Sequence, residues 1–207
     1  PYGLSCLAAA LIEDGFSVQI LDALATSRSR IIDVPGDMAY VHKYFANADR
    51  SPFALFHHYR HFGYSFEHIG KLARKSNAFL VGISSLFTPY AAEALKTAEI
   101  VRTCLPSCKI VIGGHHPTAM PQKVFDSPAV DFVIRGEGEI SMVELARAIT
   151  NEGSYEGIPG LVYTRTTHER RIPRPAVISD PEKSPLPNFD LIDHKFYKRS
   201  AKSTAVV

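Results

Sequence analysis

Three short stretches hold the residues best placed to do chemistry. Ser84 and Ser85 follow the run Phe79-Leu80-Val81-Gly82-Ile83 and lead into Leu86, Phe87, Thr88 and Pro89. Gly113-Gly114-His115-His116-Pro117-Thr118 follows Lys109-Ile110-Val111-Ile112. Arg135-Gly136-Glu137-Gly138-Glu139 follows Val130-Asp131-Phe132-Val133-Ile134. Serine hydroxyls both donate and accept hydrogen bonds. Paired glycines let a backbone approach a flat ligand where a side chain would intervene. A helix expected to start near Glu139 offers free N–H groups at its first turn. The three stretches contain no nucleophile beside an evident base, no carboxylate pair at a persuasive spacing and no Gly-Lys-Ser phosphate loop. They suit holding a group with amide or phosphate oxygens and not breaking a bond unaided. Taken singly, each is equally a tight turn after a strand.

Each turn closes an apolar, β-branched run and precedes a helical pattern. Tyr90 to Val101, rich in Ala, Leu, Lys and Glu, is the first such helix. Strand, polar turn, helix is the unit that places a ligand at the carboxyl end of a parallel strand. Parallel strands share a direction, so all three turns should open on one edge of the sheet. The run at Phe79–Ile83 predicts a strand buried on both faces, as in a central parallel strand.

Gly3 to Asp14 reads as an amphipathic helix with Leu4, Leu7, Ala8, Leu11 and Ile12 in one stripe, stopped by Gly15. Val18 to Asp22 is the next expected strand. A helix passing so soon into a strand implies a preceding strand in a right-handed crossover, upstream of Pro1 and central in the sheet. The chain opens on Pro1 and ends in the apolar Ala205-Val206-Val207, which reads as cut at both ends. Ser65 to Lys75 predicts a helix with Phe66, Ile69 and Leu72 on one face. Ser141 to Asn151 predicts another, with Met142, Leu145, Ala146 and Ile149 inward. Residues 158–164 and 170–174 predict a hairpin turning at Thr166 to Glu169. From Ala176 the chain is rich in Pro, Asp and Lys and reads as a linker. Its segment Pro185–Asp193 should be extended and docked by Leu186, Phe189 and Leu191.

Composition narrows the function classes. At 207 residues with 45% apolar content, the chain suits one ordinary domain with a real core plus an appendage. The formal charge of +2 is small and the cations are scattered, so no nucleic-acid patch is expected. No apolar run is long enough to span a membrane. Cys6, Cys104 and Cys108 are an odd number in a chain too long to need staples. They are expected as reduced thiols in a cytoplasmic setting.

A less regular region, Ala23 to Ser76, reads as an insertion over the sheet edge, with a short helix around Met38 to Phe45. It contains the aromatic and basic stretch Phe53 to Phe62. His57 and His61 have i, i+4 spacing, and with His58 and His68 they raise a metal reading. Glu67 is the only close carboxylate and no Cys is near, so no metal ligand is assigned. The competing reading is an aromatic helix packed on a partner domain.

Several motifs resemble one family. Val81-Gly82-Ile83-Ser84-Ser85-Leu86 is similar to the Ser-x-Leu strand end of cobalamin-binding domains. Val111-Ile112-Gly113-Gly114-His115-His116 and Arg135-Gly136-Glu137-Gly138-Glu139 resemble the Gly-Gly-x-His and Gly-Glu-Gly-Glu turns of cobalamin-binding radical SAM proteins. Pro1-Tyr2-Gly3-Leu4, Ile158-Pro159-Gly160-Leu161 and Leu186-Pro187-Asn188-Phe189-Asp190 are similar to that family's first helix and linker. The resemblance implies an α/β fold, a flavodoxin-like (Rossmann-type) doubly wound parallel sheet. Its first strand would be missing, and a hairpin and linker would follow. Residues 1–152 would be the cobalamin-binding domain, and residues 153–207 the hairpin and linker toward a radical SAM barrel of the same parent chain.

By motif match, Ser84, Ser85, Leu86, Thr88, Gly113, Gly114 and His115 would line the cofactor, with Gly136, Glu137 and Gly138 on a third side. A His that supplies the lower cobalt ligand in methionine-synthase-type domains would fall one place before Pro1. His115 and His116 are expected to hydrogen-bond or cap, not to ligate cobalt. A radical SAM parent needs a four-iron four-sulfur cluster on Cys-x3-Cys-x2-Cys and S-adenosylmethionine. Cys104 and Cys108 have the first spacing, but Val111 stands at the third place, so neither group is assigned to these residues. Ser203 to Val207 resembles the start of the strand before the cluster loop. The parent would then be an enzyme, a methyltransferase acting on an unactivated carbon or phosphorus. Two other readings stand beside this one. One is a domain that kept the fold, lost the cofactor and docks a substrate or partner. The other is a receiver-like domain, for which Asp22 alone is poor support.

Overall fold

The computed structural model describes residues 1–33, 36, 59–166, 169–178, 180, 184–200 and 203–204. Two compact units divide the chain, residues 23–65 and the remainder. In the smaller unit, strand β1 (Ser29–Ile32) pairs antiparallel with β2 (Tyr59–Phe62). His61 therefore lies on a strand, where side chains repeat every two residues, and the helical i, i+4 argument for His57 and His61 fails. His57, His58, the expected helix at Met38–Phe45 and the stretch 53–58 lie outside the described residues.

The larger unit is an α/β sandwich. Helix α1 (Tyr2–Glu13) opens it, and α2 (Phe66–Ser76) leads into β3 (Leu80–Ser84). After a 3₁₀ turn at Thr88–Tyr90 come α3 (Ala91–Cys104) and β4 (Lys109–Gly113). Two short helices, α4 (His115–Ala119) and α5 (Pro121–Phe125), precede β5 (Phe132–Ile134). Helix α6 (Glu139–Thr150) and the hairpin β6 (Leu161–Thr166) and β7 (Glu169–Arg171) follow. The sheet order is β3-β4-β5-β6-β7, parallel through β5 and antiparallel beyond it. The hairpin thus continues the sheet instead of standing apart from it. A second short hairpin, Lys198–Ser200 with Ser203–Thr204, ends the described chain.

Side-chain alternation along the strands divides the core into two layers. Ile110, Ile112, Val133 and Val162 face a layer with Ala73 of α2, Ala98 and Val101 of α3, and Val124 of α5. Val111, Phe132, Ile134 and Leu161 face the other, with Leu11 of α1 and Met142 and Leu145 of α6. Helices on both faces of a mixed sheet whose first three strands are parallel make the fold flavodoxin-like and doubly wound.

Four expectations change. The run at 79–83 is not buried on both faces: Phe79 is 44% exposed and Gly82 is open to solvent. Among the described residues β3 pairs only with β4, so it forms the edge. Residues 16–22 keep the alternation of a strand, with Phe16, Val18 and Ile20 turned inward, but form no ladder among the described residues. A strand exists only through a hydrogen-bonded neighbour, and none is present there. The buried stripe of α1 is Ser5, Ala8, Ala9 and Leu11, while Ile12 is exposed. Small residues face α6 because they allow close approach, and Asn188 N–H also reaches Ser5 O (3.1 Å). In the tail, Leu186 is 88% exposed, whereas Phe189 sits in a 3₁₀ turn with its ring 6.2 Å from that of Tyr2.

Local signals account for several boundaries. Gly15 has φ +91°, and its N–H reaches Ile12 O while Phe16 N–H reaches Leu11 O, a Schellman ending for α1. At the amino edge of the sheet the Arg102 guanidinium donates to the carbonyls of Pro106, Cys108 and Ala129 and pairs with Asp131. Asp131 in turn accepts Ile110 N–H at 2.8 Å. Arg102→Ala should lower unfolding stability by about 2 kcal/mol, because three carbonyls and a carboxylate lose a charged donor. Urea denaturation with an unchanged slope would register this as a lower midpoint.

Candidate cofactor-binding site

The carboxyl ends of β3, β4 and β5 form one rim, because these strands run parallel and in register. Ser84 pairs with Gly113 across the sheet. Just beyond, Ser85 N–H donates to Gly113 O (2.8 Å), and Ser85 O accepts His116 N–H (3.1 Å). The first two turns are therefore clasped by main chain. Gly114, at φ +112°, closes this clasp: a Cβ there would lie 2.6 Å from Ser85 O. Gly113 differs. A Cβ on it would meet only Ile134 O, at 3.8 Å.

The second and third turns are joined through Thr118, a residue outside the predicted site. Its hydroxyl donates to Gly114 O (2.8 Å) and accepts Gly136 N–H (2.9 Å). Its carbonyl accepts two N–H bonds from Arg135, each 3.1 Å. Arg135 also donates to Pro173 O, so its guanidinium is committed to main-chain carbonyls. The strap at Ala176 completes the tie: Ala176 N–H reaches Arg135 O (2.8 Å) and Glu137 N–H reaches Ala176 O (3.0 Å). Gly136, at φ +80°, leaves room for that strap, since a Cβ would lie 2.7 Å from Ala176 N. At Gly138 a Cβ would meet the Leu7 side chain at 3.0 Å. Thus the space beside Gly114, Gly136 and Gly138 holds the protein's own groups, and the open glycine of the rim is Gly113.

Ser84, Leu86, Thr88, His115 and Glu137 are exposed around the rim, and Ser85 is buried. Leu86 is 50%, Phe87 63% and Tyr90 60% exposed, an apolar margin on the first turn. His116, expected to hydrogen-bond or cap, is buried with Nδ1 3.1 Å from the Thr88 hydroxyl, tying the 3₁₀ turn to the second loop. Ser85 Oγ is buried and without a partner, although both backbone groups of the same residue are bonded. Beside the third turn, the neighbouring Cys6 pushes the Tyr2 hydroxyl up from its usual range, chiefly through its charge. The Cys6 thiol is pushed up chiefly by burial and further by the charge of Glu139. Cys104 is the last residue of α3 and Cys108 is buried before β4; both are free thiols, as is Cys6.

The roles of Thr118 and the Ala176 strap have no local signature, since Thr118 is 18 residues from Gly136 and Ala176 is 40 away in the chain. Only the positive φ at Gly136 and Gly114, implied by glycine at a strand end, hints that backbone packs there. Gly114→Ala and Gly136→Ala should each destabilise the fold by about 1–3 kcal/mol, from backbone strain and collision. Gly113→Ala should leave the melting temperature nearly unchanged. Thermal denaturation of the three variants in parallel checks this ranking.

Comparison with known proteins agrees with this arrangement. Residues 1–146 match the family model described as B12 binding domain. An uncharacterized methyltransferase of Pyrococcus horikoshii is 31% identical over 144 residues, 69% of this chain and 31% of the relative. Cytidylyl-2-hydroxyethylphosphonate methyltransferase of Streptomyces wedmorensis is 26% identical over 163 residues, 79% of this chain and 27% of the relative. The chain thus spans about a third or less of the length of these relatives. In fold it is similar to the radical S-adenosylmethionine methyltransferase TsrM of Kitasatospora setae, solved with cobalamin and a four-iron four-sulfur cluster. The TM-score is 0.54 at 23% identity, covering all of this chain and 33% of that one. With the cobalamin-dependent radical enzyme OxsB, bound to aqua-cobalamin and S-adenosylmethionine, the TM-score is 0.51 at 23% identity, over 61% of this chain and 18% of that one. With the family model covering most of its length and the strand-end turns gathered on one rim, this chain belongs to the B12-binding domain family.

Proposed function

We propose that cobalamin is held at the carboxyl rim of β3, β4 and β5 by Ser84, Ser85, Leu86, Thr88, Gly113, Gly114 and His115, with Gly136, Glu137 and Gly138 bordering the third side. The observation that carries this reading is the unpaired, buried Ser85 Oγ at the end of β3, on the same strand-end rim as the open glycine Gly113. A buried hydroxyl without a partner is costly, and a ligand that supplies one removes the cost. Cobalamin is rich in carboxamides and carries a phosphate and a ribose, which match such a hydroxyl. The residues present therefore fit the cofactor. Leu86 and the neighbouring Phe87 and Tyr90 would cover apolar ligand surface and exclude water, and Thr88 keeps its place through His116.

When bound, cobalamin supplies a cobalt centre able to carry a methyl group. This chain's part is to bind, orient and shield it. The parent protein, on this reading, is a radical SAM methyltransferase whose barrel lies elsewhere in the same chain and holds the iron-sulfur cluster and S-adenosylmethionine. The names of the Pyrococcus and Streptomyces relatives support methyl transfer. The free thiols Cys6, Cys104 and Cys108 support a reducing, cytoplasmic setting. No helix among the described residues is long and apolar enough to cross a membrane.

Full-length protein purified without oxygen in the presence of hydroxocobalamin should carry corrinoid absorbance in the visible range. Gly113→Leu should weaken corrinoid binding at least ~10-fold, the scale of one lost well-packed contact region, while the protein stays folded by circular dichroism. Undiminished binding in that variant would remove Gly113 from the site.

A further inference from the structure

Among the described residues, two buried side-chain atoms lack a hydrogen-bond partner, Ser85 Oγ and Glu139 Oε2. Both stand at the carboxyl edge of the sheet, one just after β3 and the other at the first residue of α6. A carboxylate oxygen only accepts, so what Glu139 Oε2 lacks is a donor. Nearby groups do not provide one. Tyr2 and Cys6 feel its charge but neither bonds this oxygen, the Leu7 side chain closes the Gly138 side, and Glu137 is itself acidic. The start of α6 favours a negative charge there, which explains why a carboxylate is tolerated but leaves its oxygen unpaired.

We propose that Glu139 is a cobalamin-contacting residue whose buried oxygen accepts a hydrogen bond from an N–H or O–H of the cofactor. The proposal rests on the cobalamin reading above and adds the last residue of the Gly-Glu-Gly-Glu turn, which that reading did not assign to the site. The donors available are primary carboxamides on the corrin ring and the amide or hydroxyl groups of the nucleotide tail. Cobinamide keeps the ring amides and lacks the nucleotide, so it separates these two sources. A polar atom buried without a partner also weakens the ligand-free fold. Removing it should therefore not lower the melting temperature, which is the opposite of what a structural ion pair would show.

The test is a visible-absorbance titration of full-length wild type, Glu139→Gln and Glu139→Ala with cyanocobalamin and with dicyanocobinamide, alongside thermal melts without ligand. Glu139→Ala should bind cobalamin at least ~10-fold more weakly, as expected for one hydrogen bond to a charged acceptor. Glu139→Gln, whose amide oxygen still accepts, should stay within about threefold of wild type. The ligand-free Glu139→Ala protein should melt no lower than wild type. A loss shared with cobinamide assigns the donor to the ring amides; a loss confined to cobalamin assigns it to the tail. Wild-type affinity of Glu139→Ala for both corrinoids overturns the proposal and leaves the cobalamin reading intact. A lowered melting temperature with binding lost only in step with unfolding overturns it too. Failure of the wild type to bind either corrinoid would sink the cobalamin reading together with this one.

Discussion

The peptide of Ser85 is gripped from both sides by the second turn. Its N–H goes to Gly113 and its carbonyl to His116, while Gly114 lies flat against it. This main-chain contact sets the separation of the first two turns, and it exists only because residue 114 has no Cβ. Backbone amides buried at a strand end must find partners, and here each turn supplies them to the next. With the peptide groups of Ser85 fully used, its hydroxyl is left over, directed by the fold and not by any partner within it.

The same economy of backbone governs the third turn. Thr118 links Gly114 to Gly136, and the Ala176 strap pairs with Arg135 and Glu137. Arg135, a residue that a charge-based reading would offer to a phosphate, is consumed by the carbonyls of Thr118 and Pro173. At the opposite edge Arg102 does similar work on three carbonyls and Asp131. Between these two tied edges the strands bury alternate side chains in two layers, which holds the rim in a set shape. A cofactor domain needs such a rim, since positioning is its contribution to the chemistry.

Much of this was legible beforehand. The apolar runs at 109–112 and 130–134 and the helical patterns at 90–101 and 141–151 are strongly periodic, and they appear where expected. The three turns follow from them, because parallel strands must end on a common edge. The burial of the 79–83 run was not legible. An apolar β-branched run reads the same whether it has one neighbour or two, and β3 has one. The spacing of His57 and His61, to which no metal was assigned, is uninformative for a related reason: four residues apart is meaningful only on a helix, and His61 lies in the strand Tyr59–Phe62.

By itself the sequence determined the type of its strongly periodic elements and the gathering of Ser84-Ser85, Gly113-Gly114 and Gly136-Glu137-Gly138 at strand ends, while the doubly wound class was implied by the family resemblance. The first two depend on local propensity and on hydrophobic period, both properties of neighbouring residues. Tertiary structure alone decided which glycines face open space and which face the chain's own backbone. Gly113 is open, whereas Gly114 meets Ser85 and Gly136 meets Ala176. It also decided that Ser85 Oγ and Glu139 Oε2 would be the buried atoms left unpaired. Such outcomes depend on contacts between residues tens of positions apart, and no local pattern of residue types encodes what will be lying alongside.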